Sequence, residues 1–173
     1  MKLFKQLKAM KEVFKAAKNV NMGIVKSELK TKGSLQYYHS NDQVIATGAV
    51  IAATGTNILG QEIIIVDDRF ERADEDQQNF ILQHEIGHQV LGHVKEIANN
   101  PQLAKQEMKN RNKKGYVSER ELAADKYAYE KVGLEATLKA FDFMEETLDD
   151  IGINTREIKA RREAILKLAK GVY

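Results

Sequence analysis

The sequence predicts an α+β fold: a small, mostly antiparallel sheet of about three strands, followed by a helical bundle. Three observations carry this prediction. Between residues 35 and 67, β-branched and aromatic residues gather in short runs separated by turn-forming residues. From residue 74 onward, apolar residues recur at helical spacing. The chain is 173 residues and 19.6 kDa, the size of one ordinary domain.

Composition narrows the class. At 43% hydrophobic and 30% charged, the chain is a folded globular protein rather than a disordered one. It has 0 cysteines, which removes disulfide scaffolds, thiol nucleophiles and zinc sites built on thiolates. The net charge is only +2, so the whole protein carries no signature of nucleic-acid binding. That charge is unevenly spread. Residues 1–33 hold nine lysines against Glu12 and Glu28, and the remainder is net acidic.

Each element has its own warrant. Leu3, Leu7, Met10, Phe14 and Ala17 share one face of a helix whose other faces carry lysine. Residues 1–22 therefore read as a basic amphipathic helix, set apart from a single domain at 23–173. Three roles stand open for residues 2–18: packing on the domain, lying on an anionic membrane surface, or binding an acidic partner. No arginine-rich or aromatic stacking pattern supports nucleic acid. Lysines interrupt every apolar run near the start, so no secretory signal is expected. The longest apolar stretch, Val44–Ala53, falls short of the roughly 20 residues that span a bilayer. The expectation is a soluble, cytoplasmic protein that is peripheral at a membrane at most.

The expected strands are Leu35–His39, Gln43–Ala53 and Gln61–Asp67, with Ser40–Asp42 and Thr54–Asn57 between them. His39 reads as an ordinary polar residue at a strand end, and Asp67 and Asp68 as punctuation. Asp74 with Gln77 forms a capping box that opens a helix running to about Leu91, stopped by Gly92. Pro101 at a first helical position opens the next, ending near Lys114–Gly115. Ser118 opens a third, to about Gly133. Amphipathic helices at 134–150 and 155–170 complete the chain.

The chemistry concentrates in the first of these helices. His84-Glu85-Ile86-Gly87-His88 places two histidines one turn apart on one face, where they can grip a single zinc ion. Glu85 lies at the edge of that face, within reach of a metal-activated water without ligating the metal. A catalytic zinc site needs a third protein ligand and an open position. His93 is one candidate, if Gly92 breaks the helix and turns the chain back. The metzincin spacing does not apply, because Leu91 and Val94 occupy its glycine and histidine positions. Glu121 is the preferred candidate, with Asp125 one turn on placed to accept the second N–H of a ligand histidine. Ala124 and Ala128 are small enough for their helix to approach the motif helix closely. The alternative for Glu121 is a capping box with Ser118, its carboxylate reaching back to the cap N–H.

His84-Glu85-Ile86-Gly87-His88 followed by Glu121-x-x-Ala124-Asp125 resembles the gluzincin clan of zinc peptidases. It is most like the prenyl-protease and heat-shock-protease type, and the run Arg161–Leu166 is similar to that family's end. His88-Gln89-Val90-Leu91-Gly92-His93 is similar to the ImmA/IrrE peptidases. The resemblance covers roughly residues 61–170. It implies Zn²⁺ held by His84, His88 and Glu121, with Glu85 as catalytic acid and base. It also implies a protein or peptide substrate, whose backbone pairs with an edge strand within Gln43–Ala53. The large membrane-spanning segments of many members are absent. The expected function is a zinc metalloendopeptidase. The alternatives are a non-catalytic zinc-containing module acting through its basic N-terminal helix, or a regulatory peptidase cutting one specific protein partner.

Overall fold

A computed structural model describes residues 27–40, 51–57, 59–110, 113 and 115–171. The basic helix expected at 2–18, and residues 43–50 of the expected second strand, lie outside these. The fold is α+β, a four-stranded mixed sheet followed by helices. The chain divides into two compact units, Met1–Arg72 and Ala73–Tyr173.

The first unit carries the sheet, in the order β1 (Ser27–Lys32), β2 (Leu35–Ser40), β4 (Glu62–Val66), β3 (Ala52–Thr56). The sequence reading missed β1. Strands β1 and β2 form an antiparallel hairpin with Lys32 opposite Leu35. Its two-residue turn is Gly33–Ser34, and Gly33 supplies the left-handed φ of 60° that such a turn requires. Strand β3 pairs antiparallel with β4, and its Thr54–Thr56 end had been read as punctuation. The β2–β4 pairing is parallel, Tyr38 opposite Ile65. Among the described residues, two of the three pairings are thus antiparallel, and β3 is an edge strand. Asn57 closes the β3–β4 turn, its Oδ1 accepting the N–H groups of Leu59 and Gln61 at 2.9 and 3.0 Å.

Strand β4 is the most apolar, and Ile64, Ile65 and Val66 are all buried. Asp67, which follows, does more than punctuate. It is buried and accepts from the backbone N–H and the guanidinium of Arg69. His39 is likewise buried, with its Nε2 3.0 Å from the Asp68 carboxylate.

The second unit holds α1 (Glu75–Val90), α2 (His93–Asn99), α3 (Pro101–Asn110), α4 (Glu119–Asp150) and α5 (Arg156–Ala169). Helix α1 begins with the expected capping box: Asp74 accepts from Gln77 N–H, and the Gln77 side chain accepts from Asp74 N–H. Gly92, with φ of 76°, ends it and opens the short α2, an element absent from the sequence reading. Helix α4 contains one break, at Gly133 with φ 82° and ψ 174°. That backbone is accessible essentially to glycine alone, which is why the expected pair of helices meets there. Among the described residues, no helix is long and apolar enough to cross a membrane.

Helix α1 packs against both parts of α4. Near the start of α1, Lys139 bridges to Asp76 at 2.8 Å and Phe80 meets Phe141 with ring centroids 5.5 Å apart. Near its end, Gly87 faces Ala124. A Cβ on Gly87 would lie 3.1 Å from the Ala124 Cα and 3.2 Å from its carbonyl oxygen. Ala124 and Ala128 are fully buried, as their small size requires of such an approach. Gly87→Ala is expected to destabilise the protein by about 1–2 kcal/mol in urea unfolding, from overpacking of the helix backbones. Intrinsic helix propensity favours alanine by about 1 kcal/mol. A stabilised variant would therefore show that the close approach is not a constraint.

Candidate metal centre

Helix α1 presents His84, Glu85 and His88, and α4 presents Glu121 and Asp125 across the Gly87–Ala124 contact. His84 Nε2 lies 3.1 Å from His88 Nε2. Glu121 Oε2 is 3.5 Å from His84 Nε2, and its Oε1 is 3.7 Å from His88 Nε2. Ligands bound at about 2.0–2.1 Å with a tetrahedral angle between them stand roughly 3.3 Å apart. The three donors therefore surround a point at which one metal ion fits, and the group His84, His88 and Glu121 could hold a metal ion. The set of two imidazoles and one carboxylate leaves a fourth position open.

The two readings of Glu121 separate here. Ser118 does cap α4, its hydroxyl oxygen accepting from Glu121 N–H at 3.4 Å. The Ser118 N–H, however, donates to Glu157 at 3.3 Å. The Glu121 carboxylate is turned towards the histidines and Arg161.

Both histidines point Nε2 towards Glu121, and each meets another group at Nδ1. His84 Nδ1 is 2.9 Å from Asp125 Oδ1, the place anticipated for Asp125. His88 Nδ1 is 2.9 Å from His93 Nδ1, which puts His93 on the side of the ring away from Glu121. Glu85 is buried, only 7% exposed, one residue past His84.

The sequence reading names Arg161 only within the Arg161–Leu166 run and gives it no role at the site. Its Nε and Nη2 donate to the two oxygens of Asp125 at 2.6 Å each, and its Nη1 donates to Glu121 at 2.8 Å. Arg161 is 6% exposed and Asp125 0%. The signal was present in the pattern of α5. Ile158, Arg161, Ile165 and Leu168 share one face, so a cation stands in an otherwise apolar stripe.

The electrostatics follow from this enclosure. Burial alone would raise both carboxylates, but the Arg161 guanidinium and His84 hold Glu121 well below its ordinary value and Asp125 below its own. Burial opposes charge on His84, yet its bonds to Asp125 and Glu121 outweigh that and push its pKa up to about 10. Burial and the neighbouring His84 charge bring His88 down to about 3. In the metal-free protein the pair thus carries one positive charge, on His84.

Comparison with known proteins finds no match among family models, curated proteins or solved structures.

Two outcomes are expected. Removing the guanidinium strands the buried Asp125 and the part-buried Glu121, so Arg161→Leu should cost the metal-free protein on the order of 3–5 kcal/mol in denaturant unfolding. Because both carboxylates sit below their unfolded values of 4.5 and 3.8, their stabilisation is fully present above that range and is lost as pH falls from it through the lowered folded values. The acid limb of the stability curve should flatten in Arg161→Leu. Metal uptake has its own signature, since a ligand imidazole must be neutral while His84 stays protonated up to about pH 10. At pH 8, calorimetry in buffers of different ionisation enthalpy should read at least about one proton released per ion bound, and close to two where the water on the ion ionises near pH 7. Uptake without proton release would contradict this charge assignment.

Proposed function

We propose that this protein is a zinc metalloendopeptidase that hydrolyses peptide bonds with a metal-activated water. The observation that carries the proposal is the convergence of His84 Nε2, His88 Nε2 and the Glu121 carboxylate beside a buried Glu85. Two histidines and one carboxylate with an open position suit zinc among the common divalent metals. The likeness of the His84–His88 and Glu121–Asp125 motifs to gluzincin peptidases supports the same reading.

Zinc bound there would act as a Lewis acid and bring the pKa of its water to about 7. The chain's own residues carry the rest. Glu85 takes the proton from the attacking water and delivers it to the leaving amine. Asp125 accepts from His84 Nδ1–H, holding the tautomer that leaves Nε2 free as a donor. Arg161 keeps Asp125 and Glu121 ionised, so both remain acceptors near neutral pH.

The test combines metal content with peptide hydrolysis. Elemental analysis should find about one zinc per chain, weakened in Glu121→Ala. Glu85→Gln should retain the zinc and lose hydrolysis by at least about 10²-fold, the usual contribution of general acid–base catalysis. Full activity in Glu85→Gln would remove the mechanism, and absence of zinc after reconstitution would remove the metalloenzyme.

A further inference from the structure

Each candidate ligand histidine has two ring nitrogens, and the Nε2 atoms of both converge on Glu121. A neutral imidazole that gives Nε2 to a metal must carry its proton on Nδ1. That N–H needs an acceptor, and an acceptor fixes both tautomer and ring orientation. For His84 the group at that place is Asp125, one turn beyond Glu121 on α4, with its Oδ1 2.9 Å from Nδ1. For His88 the group at the same place is another imidazole, His93, 2.9 Å away Nδ1 to Nδ1, its ring inclined 64° to that of His88.

We infer that His93 is the positioning residue of His88: its Nδ1 accepts the His88 Nδ1–H and so presents His88 Nε2 to the metal. The inference rests on the metal-centre reading above, and it assigns His93 a role other than ligation. Two features of the chain bring it there. Gly92 adopts φ of 76°, which turns the backbone so that α2 starts with His93 facing back onto α1. A Cβ on Gly92 would meet nothing within 4 Å, so the glycine serves this conformation rather than close packing. Helix α2 is then tied to α4, because Arg120 bonds Glu96 of α2 at 2.9 Å and Glu107 of α3 at 2.8 Å. The imidazole is therefore held by a strapped helix, not by a free turn. With Nδ1 accepting, the proton of His93 itself resides on Nε2.

The geometry distinguishes two amide replacements. The Oδ1 of asparagine can occupy the place of a histidine Nδ1, whereas the Oε1 of glutamine reaches towards the place of Nε2. Zinc affinity would be measured by competition with a chromophoric chelator, and Co²⁺ absorption spectra recorded at saturation, on the full chain. Circular dichroism would check folding; His93 is only half-buried, so its variants are expected to fold. His93→Ala should bind zinc about 10–100-fold more weakly, with the saturated Co²⁺ spectrum unchanged. His93→Asn should restore most of the affinity and His93→Gln little of it. Undiminished affinity in His93→Ala, with normal binding by the parent protein, would overturn the inference and leave the metal centre standing. Restoration by Gln rather than Asn, with an altered Co²⁺ spectrum, would make His93 a ligand and overturn it too. Failure of the parent protein to bind either ion would remove the metal centre and this inference together.

Discussion

Two carboxylates buried between helices cannot stay ionised without a cation, and in this protein Arg161 is that cation. Asp125 is wholly enclosed and Glu121 partly so, yet both are held in their charged forms. The guanidinium engages Asp125 with two parallel bonds and Glu121 with a third, using the fork geometry that lysine lacks. This contact joins α5 to α4 in their interior, beside the Lys159–Glu145 and Arg162–Asp142 bridges. It also sets the charge of Glu121 towards the histidines and of Asp125 towards His84 Nδ1. The enclosure raises the strength of every interaction in it, and the same enclosure makes any member costly to strip of its partner.

The second constraint is steric. Imidazoles on α1 and carboxylates on α4 come within bonding range of one ion only if the two backbones nearly touch. Gly87 opposite Ala124, with Ala128 a turn further, permits that approach. Beyond the Gly133 break, Phe141 meets Phe80 and Lys139 bridges to Asp76, so α1 is held by both parts of α4. The histidines need support from outside as well, and receive it from different elements: Asp125 of α4 for His84, and the start of α2 for His88.

Much of this was legible in the residues. The Asp74–Gln77 capping box, the stop at Gly92, Pro101 at a helix start and the break at Gly133 depend on backbone chemistry within a few positions, and each appears where expected. The spacing of His84 and His88 put both rings on one helix face, for the same local reason. The sheet was read less well. Strand β1 is polar and half-exposed, Ser-Glu-Leu-Lys-Thr-Lys, so it lacks the apolar alternation that marks a strand. Its only signal was Gly33–Ser34, a two-residue turn of the kind that joins hairpins. The Thr54–Thr56 segment was taken for a turn because its residues are turn formers, although pairing with β4 makes it a strand.

Local pattern alone thus determined an α+β chain, most of the helix boundaries though not α2, and a pair of histidines on one helix face, because caps, turns and helical spacing act over four or five residues. Only the tertiary structure decided what the longer-range partners do. Glu121 could cap its own helix or face the histidines, and the choice turned on Glu157, which takes the Ser118 N–H from a different helix. His93 could have been a ligand, yet the backbone turn at Gly92 sets it against Nδ1 of His88. Arg161 stands 36 residues beyond the aspartate it neutralises. No local rule reaches that far, since the demand for a buried cation arises only once two carboxylates have been enclosed.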